Sequence, residues 1–551
     1  MFSTTTNGER IVIKIKSKRS VNMNVTENSV YAGVVGSYLN DLDVKNPPSP
    51  FEIESVLLEK LLFEIQKENS TRDKGHKIKI PTVLPEFIVA SIILKLYNIK
   101  NIMWSDDGDT DNSDLFLYQT EGANKGIYTS DSKMFKRLVR LYNPKASIKY
   151  VEEVIDILSS NAPCCNSNLD KNLIAVNNGI FNYETKKLMP FSPDVIFTSK
   201  SRVDYNPNAK NVILHNFEDN TNWDIESWIK DLSDNSEIVD LIWQVIGASI
   251  RPNVRWNKVV CFYSEQGNNG KGTLCELIRN ICGAGNTASI PFDSFGKEFA
   301  LEQLTRVSAI VTDENTTKSF SKETASLKAI ITGDCFSVNR KFKPIITMKF
   351  NGLMVQCVND LPRFGDKSES LYRRLLFIPF EKCFTGVERK YIKDDYLNKK
   401  EVLEYVLFKV LNMNYNQFSD PAECQKLLAG YKIFNDPVRD FLDDVLDQFV
   451  WTLVPYNFLY DLYKSWFKEN YPSGQIVNRK SFLNDVKEIL RKNTEWEFAE
   501  VPYKSKSKMD KTELLIMRYN LTHWMADYNG SDPKKICNFV RKDSYRGLIK
   551  L

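Results

Sequence analysis

The stretch from Lys258 to Thr273, KVVCFYSEQGNNGKGT, sets the central architecture of the chain. Its first six residues form a short, mostly apolar run that is typical of a buried strand. A glycine- and asparagine-rich loop follows, and apolar residues then recur at helical spacing from Leu274 to Ile281. Such a loop between strand and helix directs backbone N–H groups and a helix N-terminus at phosphate oxygens. The stretch therefore predicts an α/β nucleotide-binding core that continues to about Phe384.

The loop itself predicts a binding site for ATP with Mg²⁺, in which Lys271 reaches the β- and γ-phosphates. It departs from the strict phosphate-loop pattern twice. Glu265 stands where the first glycine is expected, and Gly272 stands where a hydroxyl normally assists Mg²⁺. Thr273 or a water is the predicted substitute, and an ordinary Gly/Asn turn is the alternative interpretation. The predicted nucleotide-binding residues are Gly267, Asn268, Asn269, Gly270, Lys271, Gly272 and Thr273.

Two acidic residues follow the next apolar strand, Val307 to Thr312. A carboxylate at that strand end can hold Mg²⁺, and its neighbour can polarise the attacking water. We expect Asp313 to be the metal ligand and Glu314 the catalytic residue. A solvated acidic turn is the alternative.

Three further residues complete the predicted catalytic set. Asn359 ends another apolar strand, where its amide can contact the γ-phosphate or the lytic water, unless it merely terminates the strand. Arg373 and Arg374 precede the next strand. Arginine is always charged and offers several donors, which suits a finger that reaches a neighbouring subunit's γ-phosphate. Arg374 is the first choice and Arg373 the second.

A basic hairpin is predicted between these strands, with the tip Arg340-Lys341-Phe342-Lys343. Lysine and arginine can hold the phosphates of a DNA strand while an aromatic ring contacts a sugar or base. An exposed basic turn without function is the alternative.

The C-terminal part predicts a winged helix. Helices are expected over Val438–Phe449 and Tyr456–Asn470, and a third after the N-cap Asn478. The strand-like segments Trp496–Tyr503 and Leu514–Tyr519 would form the wing. The alternative is a ring-packing or protein-binding module. The predicted DNA contacts of this module are Arg479, Lys480, Lys504, Lys506 and Lys508.

Length and composition favour several domains of a soluble protein. The 551 residues carry 74 basic and 70 acidic side chains, and this near-balance argues against coating nucleic acid by bulk charge. The ten cysteines are scattered without a C-x-x-C motif, so neither a disulfide framework nor a zinc module is expected. The three histidines are never paired, which argues against a metal-dependent nickase. Because the sequence shows neither a signal peptide nor a membrane span, a cytoplasmic location is expected.

The predicted domain boundaries follow from these patterns. We expect an N-terminal extension of unknown role (1–80), an α+β domain (81–215), a helical collar (216–255), the motor core (256–385), a helical linker (386–435), the winged helix (436–525) and a C-terminal tail (526–551).

The order of the motifs resembles superfamily 3 AAA+ helicases, and more closely the poxvirus-, phage- and plasmid-type primase-helicases. Matching segments are GNNGKGT from Gly267, Leu327-Lys328 before Thr332-Gly333-Asp334, Asn359-Asp-Leu-Pro362, and Val176–Tyr183 with Val203–Pro207. The resemblance covers roughly residues 81–492, and self-loading helicases of staphylococcal cassette and pathogenicity-island elements are similar in layout. It implies an AAA+ phosphate-loop core, a hexameric ring, 3′→5′ movement on DNA, and ATP sites shared between subunits.

Together these features predict a multidomain α/β protein with an AAA+ core, an α+β N-terminal region and a C-terminal winged helix. The expected function is an ATP-dependent helicase and initiator that replicates a mobile element. The expected partners are single-stranded and duplex DNA, further copies of the chain, and a primase or other replication proteins, without a membrane. One rival is an origin-binding initiator that uses ATP as an assembly switch. Another is a remodeller of protein substrates, which the basic hairpin tip argues against.

Overall fold

The computed structural model describes residues 25–105, 108–315, 320–321, 324–471, 476–491, 493–525 and 542–551. They form two compact units. The first contains the described residues up to Pro362 together with Arg374–Pro421, and the second contains Arg363–Arg373 together with those from Ala422 to Leu551. The chain mixes helices with parallel and antiparallel strands, which confirms the predicted multidomain α/β class.

The α-helices of the described residues are numbered in chain order. They are α1 (Val25–Asp41), α2 (Pro50–Asn69), α3 (Glu86–Leu96), α4 (Ser132–Tyr142), α5 (Ile148–Asn161), α6 (Ile225–Lys230), α7 (Ser236–Ala248), α8 (Lys271–Cys282), α9 (Ala325–Thr332), α10 (Glu369–Tyr372), α11 (Lys390–Asp394), α12 (Lys400–Asn412), α13 (Ala422–Asn435), α14 (Pro437–Val445), α15 (Tyr456–Asn470), α16 (Arg479–Leu490) and α17 (Leu515–Arg518).

The strands are mostly short. They are β1 (Ile99–Met103), β2 (Ser113–Tyr118), β3 (Tyr128–Thr129), β4 (Cys164–Cys165), β5 (Leu173–Val176), β6 (Gly179–Asn182), β7 (Lys187–Met189), β8 (Leu214–Asn216), β9 (Thr221–Trp223), β10 (Val259–Tyr263), β11 (Thr287–Ala288), β12 (Ala309–Thr312), β13 (Phe320–Ser321), β14 (Phe336–Val338), β15 (Ile346–Met348), β16 (Leu353–Val358), β17 (Arg363–Phe364), β18 (Leu375–Pro379), β19 (Leu453–Pro455), β20 (Trp496–Phe498), β21 (Tyr503–Lys504), β22 (Ser544–Tyr545) and β23 (Gly547–Lys550).

The predicted boundary at residue 80 is wrong, because α1 and α2 belong to the same core as the helices that follow. The Ser49 side chain caps α2 in a capping box with Glu52, so the proline cluster before it begins a helix and does not end a domain. Ile53, Leu57, Leu61 and Ile65 recur at helical spacing and are fully buried against α3, α4 and α5. Burial of one such side chain stabilises a fold by roughly 1.5–3 kcal/mol.

A five-stranded parallel sheet forms the centre of the first unit, in the order β11-β12-β16-β10-β18. Every residue of β12 and β16 is buried, which explains their continuous apolar sequence. Because all five strands are parallel, the segments that follow β10, β12 and β16 emerge at one edge of the sheet. Ligands of open α/β sheets bind at this carboxyl edge.

The predicted helical collar and the predicted helical linker are not separate domains. The collar helices α6 and α7 pack with α12 in the first unit, where Lys409 Nζ lies 2.6 Å from Glu226 Oε1. The predicted linker 386–435 is divided: α11 and α12 belong to the first unit and α13 to the second.

The second unit contains the three predicted C-terminal helices, α14, α15 and α16. The Asn478 side chain caps α16 by accepting from the backbone N–H of Ser481, as predicted. The predicted strand at Leu514–Tyr519 is wrong, because residues 515–518 form α17. The strand that pairs with β19 and β20 is β23, near the C-terminus. Residues 542–551 are thus part of this domain and not a tail. Strand pairing between distant segments leaves no local sequence signal, which is the reason for the error.

None of the helices in the described part of the chain is both long enough and apolar enough to cross a bilayer.

Candidate active site

The glycine-rich loop runs from the end of β10 to the start of α8 in a fixed conformation. Gly270 is the N-cap of α8 with φ of 84°, and a Cβ there would lie 2.6 Å from Leu232 Cδ2, so the position requires glycine. Asn268 also has a positive φ, of 56°. Its backbone oxygen accepts from Phe384 N at 2.7 Å, and its side chain donates to Glu388 Oε1 at 3.0 Å. Residues outside the loop therefore fix its conformation, and the first backbone N–H groups of a helix have no carbonyl partner within the helix.

Lys271 begins α8 and is 5% exposed. Burial lowers the pKa of its ammonium group, while the nearby Cys357, Cys275 and Asp313 act in the opposite direction. Among the described residues Lys271 has no direct ion pair, and such a buried ammonium group is well suited to an anionic ligand such as a phosphate.

Asp313 lies against the first turn of α8. A Cβ at Gly272 would be 3.0 Å from Asp313 Oδ1, so the missing side chain at 272 makes room for this carboxylate. Arg279 Nη1, two turns farther along α8, lies 3.8 Å from Asp313 Oδ2. Thr273, the predicted substitute for the hydroxyl, lines a cavity together with Asn268 and Gly270. A side chain at 272 would thus crowd the carboxylate of Asp313.

The two remaining predicted residues of the phosphate edge lie where the strand register puts them. Val358 pairs with Tyr263, and Ser264 N donates to Val358 O, so Asn359 follows β16 beside the start of the loop. Glu314 follows Asp313 after β12, which pairs with β16. Both Asn359 and Glu314 are exposed. The sheet thus brings together Lys271, Asp313, Glu314 and Asn359 from three separate segments.

A cavity of about 510 Å³ adjoins the loop. Most of the residues that line it were not predicted from the sequence. Asn268, Gly270 and Thr273 line one part of it, and the remaining wall contains three aromatic and seven charged residues. Trp223 and Trp228 come from the region before α7, with ring centroids 6.4 Å apart. Phe384 comes from the segment after β18. A cavity of this size that combines aromatic rings with charged groups has the character of a small-molecule pocket.

The predicted finger arginines lie elsewhere. Arg374 precedes β18, and its carbonyl accepts from Val259 N at the start of β10. β10 and β18 both start at the edge of the sheet where Arg374 lies. They run for five residues toward the edge that carries the glycine-rich loop, a distance of roughly 17 Å at about 3.3 Å per residue. Arg374 is thus at the opposite edge from the phosphate loop of its own chain. Arg373 is exposed.

The predicted basic hairpin is present, since β14 and β15 pair antiparallel. Phe342 is 96% exposed at its tip with φ of 60°, and Lys341 Nζ lies 5.3 Å from the centre of its ring. Lys341 and Lys343 are exposed.

Arg340 does not lie at the exposed tip as predicted. Its guanidinium is buried and bonds Asp114 Oδ2 at 2.6 Å, because the hairpin packs on the start of β2. Asn112 adds a second link, donating to Thr347 O at 2.6 Å. Asp114 and Asn112 carried no sequence signal for this role, since their partners are more than two hundred residues away.

In the second unit, the predicted DNA-contacting residues lie at the surface. Arg479 and Lys480 are exposed in the first turn of α16, where Arg479 Nη2 donates to Asn457 Oδ1. Lys504 and Lys506 are exposed, whereas Lys508 is half-buried. The lysines adjoin the β21–β22 pair and not the predicted hairpin to residue 519.

Three family models match successive parts of the chain. A model described as "D5 N terminal like" matches residues 84–234, one described as "Family of unknown function (DUF5906)" matches 262–374, and one described as "Poxvirus D5 protein-like" matches 434–521. The two D5-like matches support a D5-like family for this chain, which is the coarser form of the expected resemblance. The middle match spans the glycine-rich loop, Asp313, Asn359 and Arg374.

Solved structures are similar only distantly. The A form apo structure of the NrS-1 C-terminal region is 12% identical, with a TM-score of 0.38, and the match covers 74% of this chain and 90% of that chain. A second A form apo structure of this region is 13% identical with a TM-score of 0.39, covering 80% and 91%. TM-scores this low do not establish a common fold.

Proposed function

We propose that the chain is an ATP-dependent DNA helicase of the AAA+ class that acts in replication. The observation that carries this proposal is the meeting of Lys271, Asp313 and Asn359 at one sheet edge beside a cavity of about 510 Å³. A phosphate-binding lysine, a carboxylate for Mg²⁺ and a polar amide next to a nucleoside-sized cavity are the parts that nucleoside triphosphate hydrolysis needs.

In this proposal, the triphosphate lies across the N-terminus of α8. Backbone N–H groups of the Asn268–Gly270 loop and the Lys271 ammonium group hold its phosphate oxygens. Asp313 holds the Mg²⁺ of Mg-ATP, Glu314 accepts a proton from the attacking water, and Asn359 orients that water or the γ-phosphate. The charge that develops on the phosphate oxygens is then stabilised by groups already in place.

The adenosine lies in the aromatic cavity. Trp228 and Phe384 are half-buried, so each has ring surface left to cover. Stacking on such rings stabilises a bound base by roughly 1–3 kcal/mol. The cavity is formed by the collar region and the segment after β18, so bound nucleotide links both to the phosphate loop.

The arginine finger acts between subunits. Arg374 lies at the sheet edge opposite its own phosphate loop, so it has to act on the site of a neighbouring copy if it acts on phosphate at all. This requirement supports a ring in which each ATP site is shared, with a hexamer and 3′→5′ movement as the forms that the superfamily 3 resemblance implies.

DNA is held by two regions. The tip residues Lys341, Phe342 and Lys343 carry two ammonium groups around an almost fully exposed ring, which suits one DNA strand in a central channel. Arg340 and Asn112 tie the hairpin to the start of β2, so a movement of the tip would be transmitted to that strand. The second unit, as a winged helix, contributes Arg479, Lys480, Lys504, Lys506 and Lys508 to duplex contacts.

The test is ATP-dependent strand displacement on a forked DNA, beside Lys271→Ala. We expect the wild type to hydrolyse ATP and displace the strand, and Lys271→Ala to do neither. ATP hydrolysis without displacement on any fork would instead support the origin-binding initiator. Loss of DNA stimulation together with protein-stimulated hydrolysis would support a remodeller.

A further inference from the structure

Two buried cysteines meet beside the carboxylate of Asp313. Cys275 lies on α8, one turn beyond Lys271, and Cys357 lies on β16. Their sulfur atoms are 3.3 Å apart. Both sulfurs and one Asp313 oxygen fall within 4.8 Å of one another, and the residues that the structure describes contain no other such group of three cysteine, histidine or carboxylate side chains.

We propose that Cys275, Cys357 and Asp313 form a binding site for a thiophilic divalent cation such as Zn²⁺, and that this cation competes with Mg²⁺ for Asp313. The binding site stands on its own geometry, whereas the competition rests on the proposed function.

The donor set fits zinc better than magnesium. Zn²⁺ takes thiolate and carboxylate ligands in a tetrahedral arrangement, while Mg²⁺ prefers oxygen ligands. Two Zn–S bonds of about 2.3 Å at a tetrahedral angle place the sulfurs roughly 3.8 Å apart. The observed 3.3 Å between the Cys275 and Cys357 sulfurs therefore needs to open only slightly. Three protein donors leave a fourth position for water or a phosphate oxygen.

The surrounding charges favour this occupancy. Binding releases the two thiol protons to solvent, so two thiolates and one carboxylate face the cation and leave one net negative charge. The ammonium group of Lys271 lies close enough to interact electrostatically with both cysteines, and Arg279 Nη1 lies 3.8 Å from Asp313 Oδ2. These two cations offset that charge inside a largely buried site.

Gly272 adds to the selectivity. The usual hydroxyl at this position would supply a hard oxygen for Mg²⁺, but the residue here has no side chain. Asp313 is therefore flanked by two sulfur atoms and no hydroxyl from position 272. A soft cation that binds the sulfurs draws Asp313 away from Mg-ATP, so micromolar Zn²⁺ inhibits ATP hydrolysis and excess Mg²⁺ relieves the inhibition.

The test uses Cd²⁺ as the probe, with the full-length chain under a phosphine reductant and without nucleotide. Equilibrium dialysis counts the bound ions, and sulfur-to-cadmium charge-transfer absorption reports thiolate ligation. Cys275→Ser and Cys357→Ser remove one ligand each. Cys282→Ser is the matched control, because Cys282 is equally buried in α8 and its thiol bonds Ser249 O instead.

We expect each ligand variant to bind one tight Cd²⁺ fewer than the wild type, with affinity at this site weakened by more than the roughly 10–100-fold typical of an outer-shell change. Cys282→Ser keeps the wild-type count. Equal counts in all four proteins would overturn the proposal. Should both ligand variants fail to fold, zinc K-edge absorption of the wild type decides: two sulfur neighbours at about 2.3 Å support the site, and none refutes it.

The two proposals fail separately. Tight Cd²⁺ binding that depends on both cysteines, in a protein without ATPase activity, leaves the metal site standing and removes the proposed function. ATPase activity that Zn²⁺ does not inhibit, in a protein whose variants all bind Cd²⁺ alike, removes the metal site and leaves the proposed function standing.

Discussion

Gly272 faces the carboxylate of Asp313 so closely that a Cβ on Gly272 would be 3.0 Å from Asp313 Oδ1 and 3.4 Å from Oδ2. Glycine at position 272 breaks the phosphate-loop pattern. It also leaves space for the carboxylate of Asp313, which the same pattern requires.

Gly272→Ala should therefore lower ATP turnover by roughly 10–100-fold, because a displacement of Asp313 by even a fraction of an ångström misplaces its charge. Steady-state ATPase assays measure the effect. The matched control is Gly430→Ala in α13, where a Cβ meets nothing within 4 Å. It should gain about 1 kcal/mol of stability from helix propensity. Unchanged turnover in Gly272→Ala would mean that Asp313 has no role in catalysis.

Gly270→Ala should destabilise the protein by roughly 1–3 kcal/mol, since φ of 84° disfavours alanine and Leu232 already occupies the space. Thermal unfolding with and without ATP measures the loss. Gly267→Ala is the control for stability: it lies in the same loop, without a positive φ and with nothing within 4 Å. Equal melting temperatures for the two variants would contradict the predicted strain.

Arg340→Ala should unfold more easily, because it leaves the carboxylate of Asp114 without its closest cation. Loss of one partner from a buried pair costs roughly 3–5 kcal/mol, and less is expected here because the Asp114 side chain is still 20% exposed. Urea unfolding measures it. In a double-mutant cycle with Asp114→Ala, the second change should cost little once the first is made. Additive losses would mean that the pair is not coupled.

Lys341→Ala combined with Lys343→Ala should weaken the binding of single-stranded DNA and lower the strand displacement obtained per ATP hydrolysed by at least about tenfold. Each lost phosphate contact reduces the salt dependence of log affinity by about 0.7, so the slope should fall by about 1.4. Fluorescence anisotropy across a salt series measures it. Lys145→Ala with Lys149→Ala removes two exposed lysines of the N-terminal region as a control. An unaltered slope would remove the hairpin from DNA binding.

Trp228→Ala should raise the KM for ATP by roughly tenfold, corresponding to the loss of about 1–3 kcal/mol of base stacking. Trp228→Phe keeps an aromatic face and should stay close to the wild type. Initial-rate kinetics at varied ATP separate KM from kcat. If Trp228→Ala also raises the KM for inorganic triphosphate, the substitution affects binding of the phosphates and not of the base.

Local patterns predicted much of this molecule correctly. The strand and helix around the glycine-rich loop, the N-cap Asn478, and the hairpin between β14 and β15 are confirmed. Each depends on residues within a few positions of one another. The failures concern long-range contacts, above all the β23 strand taken for a tail and the N-terminal helices taken for an extension.

The order of strand, loop, helix and acidic strand end follows from the sequence alone, because periodicity, glycine content and capping act over short distances. What these elements meet depends on the tertiary structure. It brings Asp114 into an ion pair with Arg340, Asp313 close to Gly272, and the sulfur atoms of Cys275 and Cys357 into contact. The last pair is 82 residues apart in the chain. Contacts of this kind depend on how strands pair and helices pack, and neither leaves a mark at the contacting positions that one sequence can show.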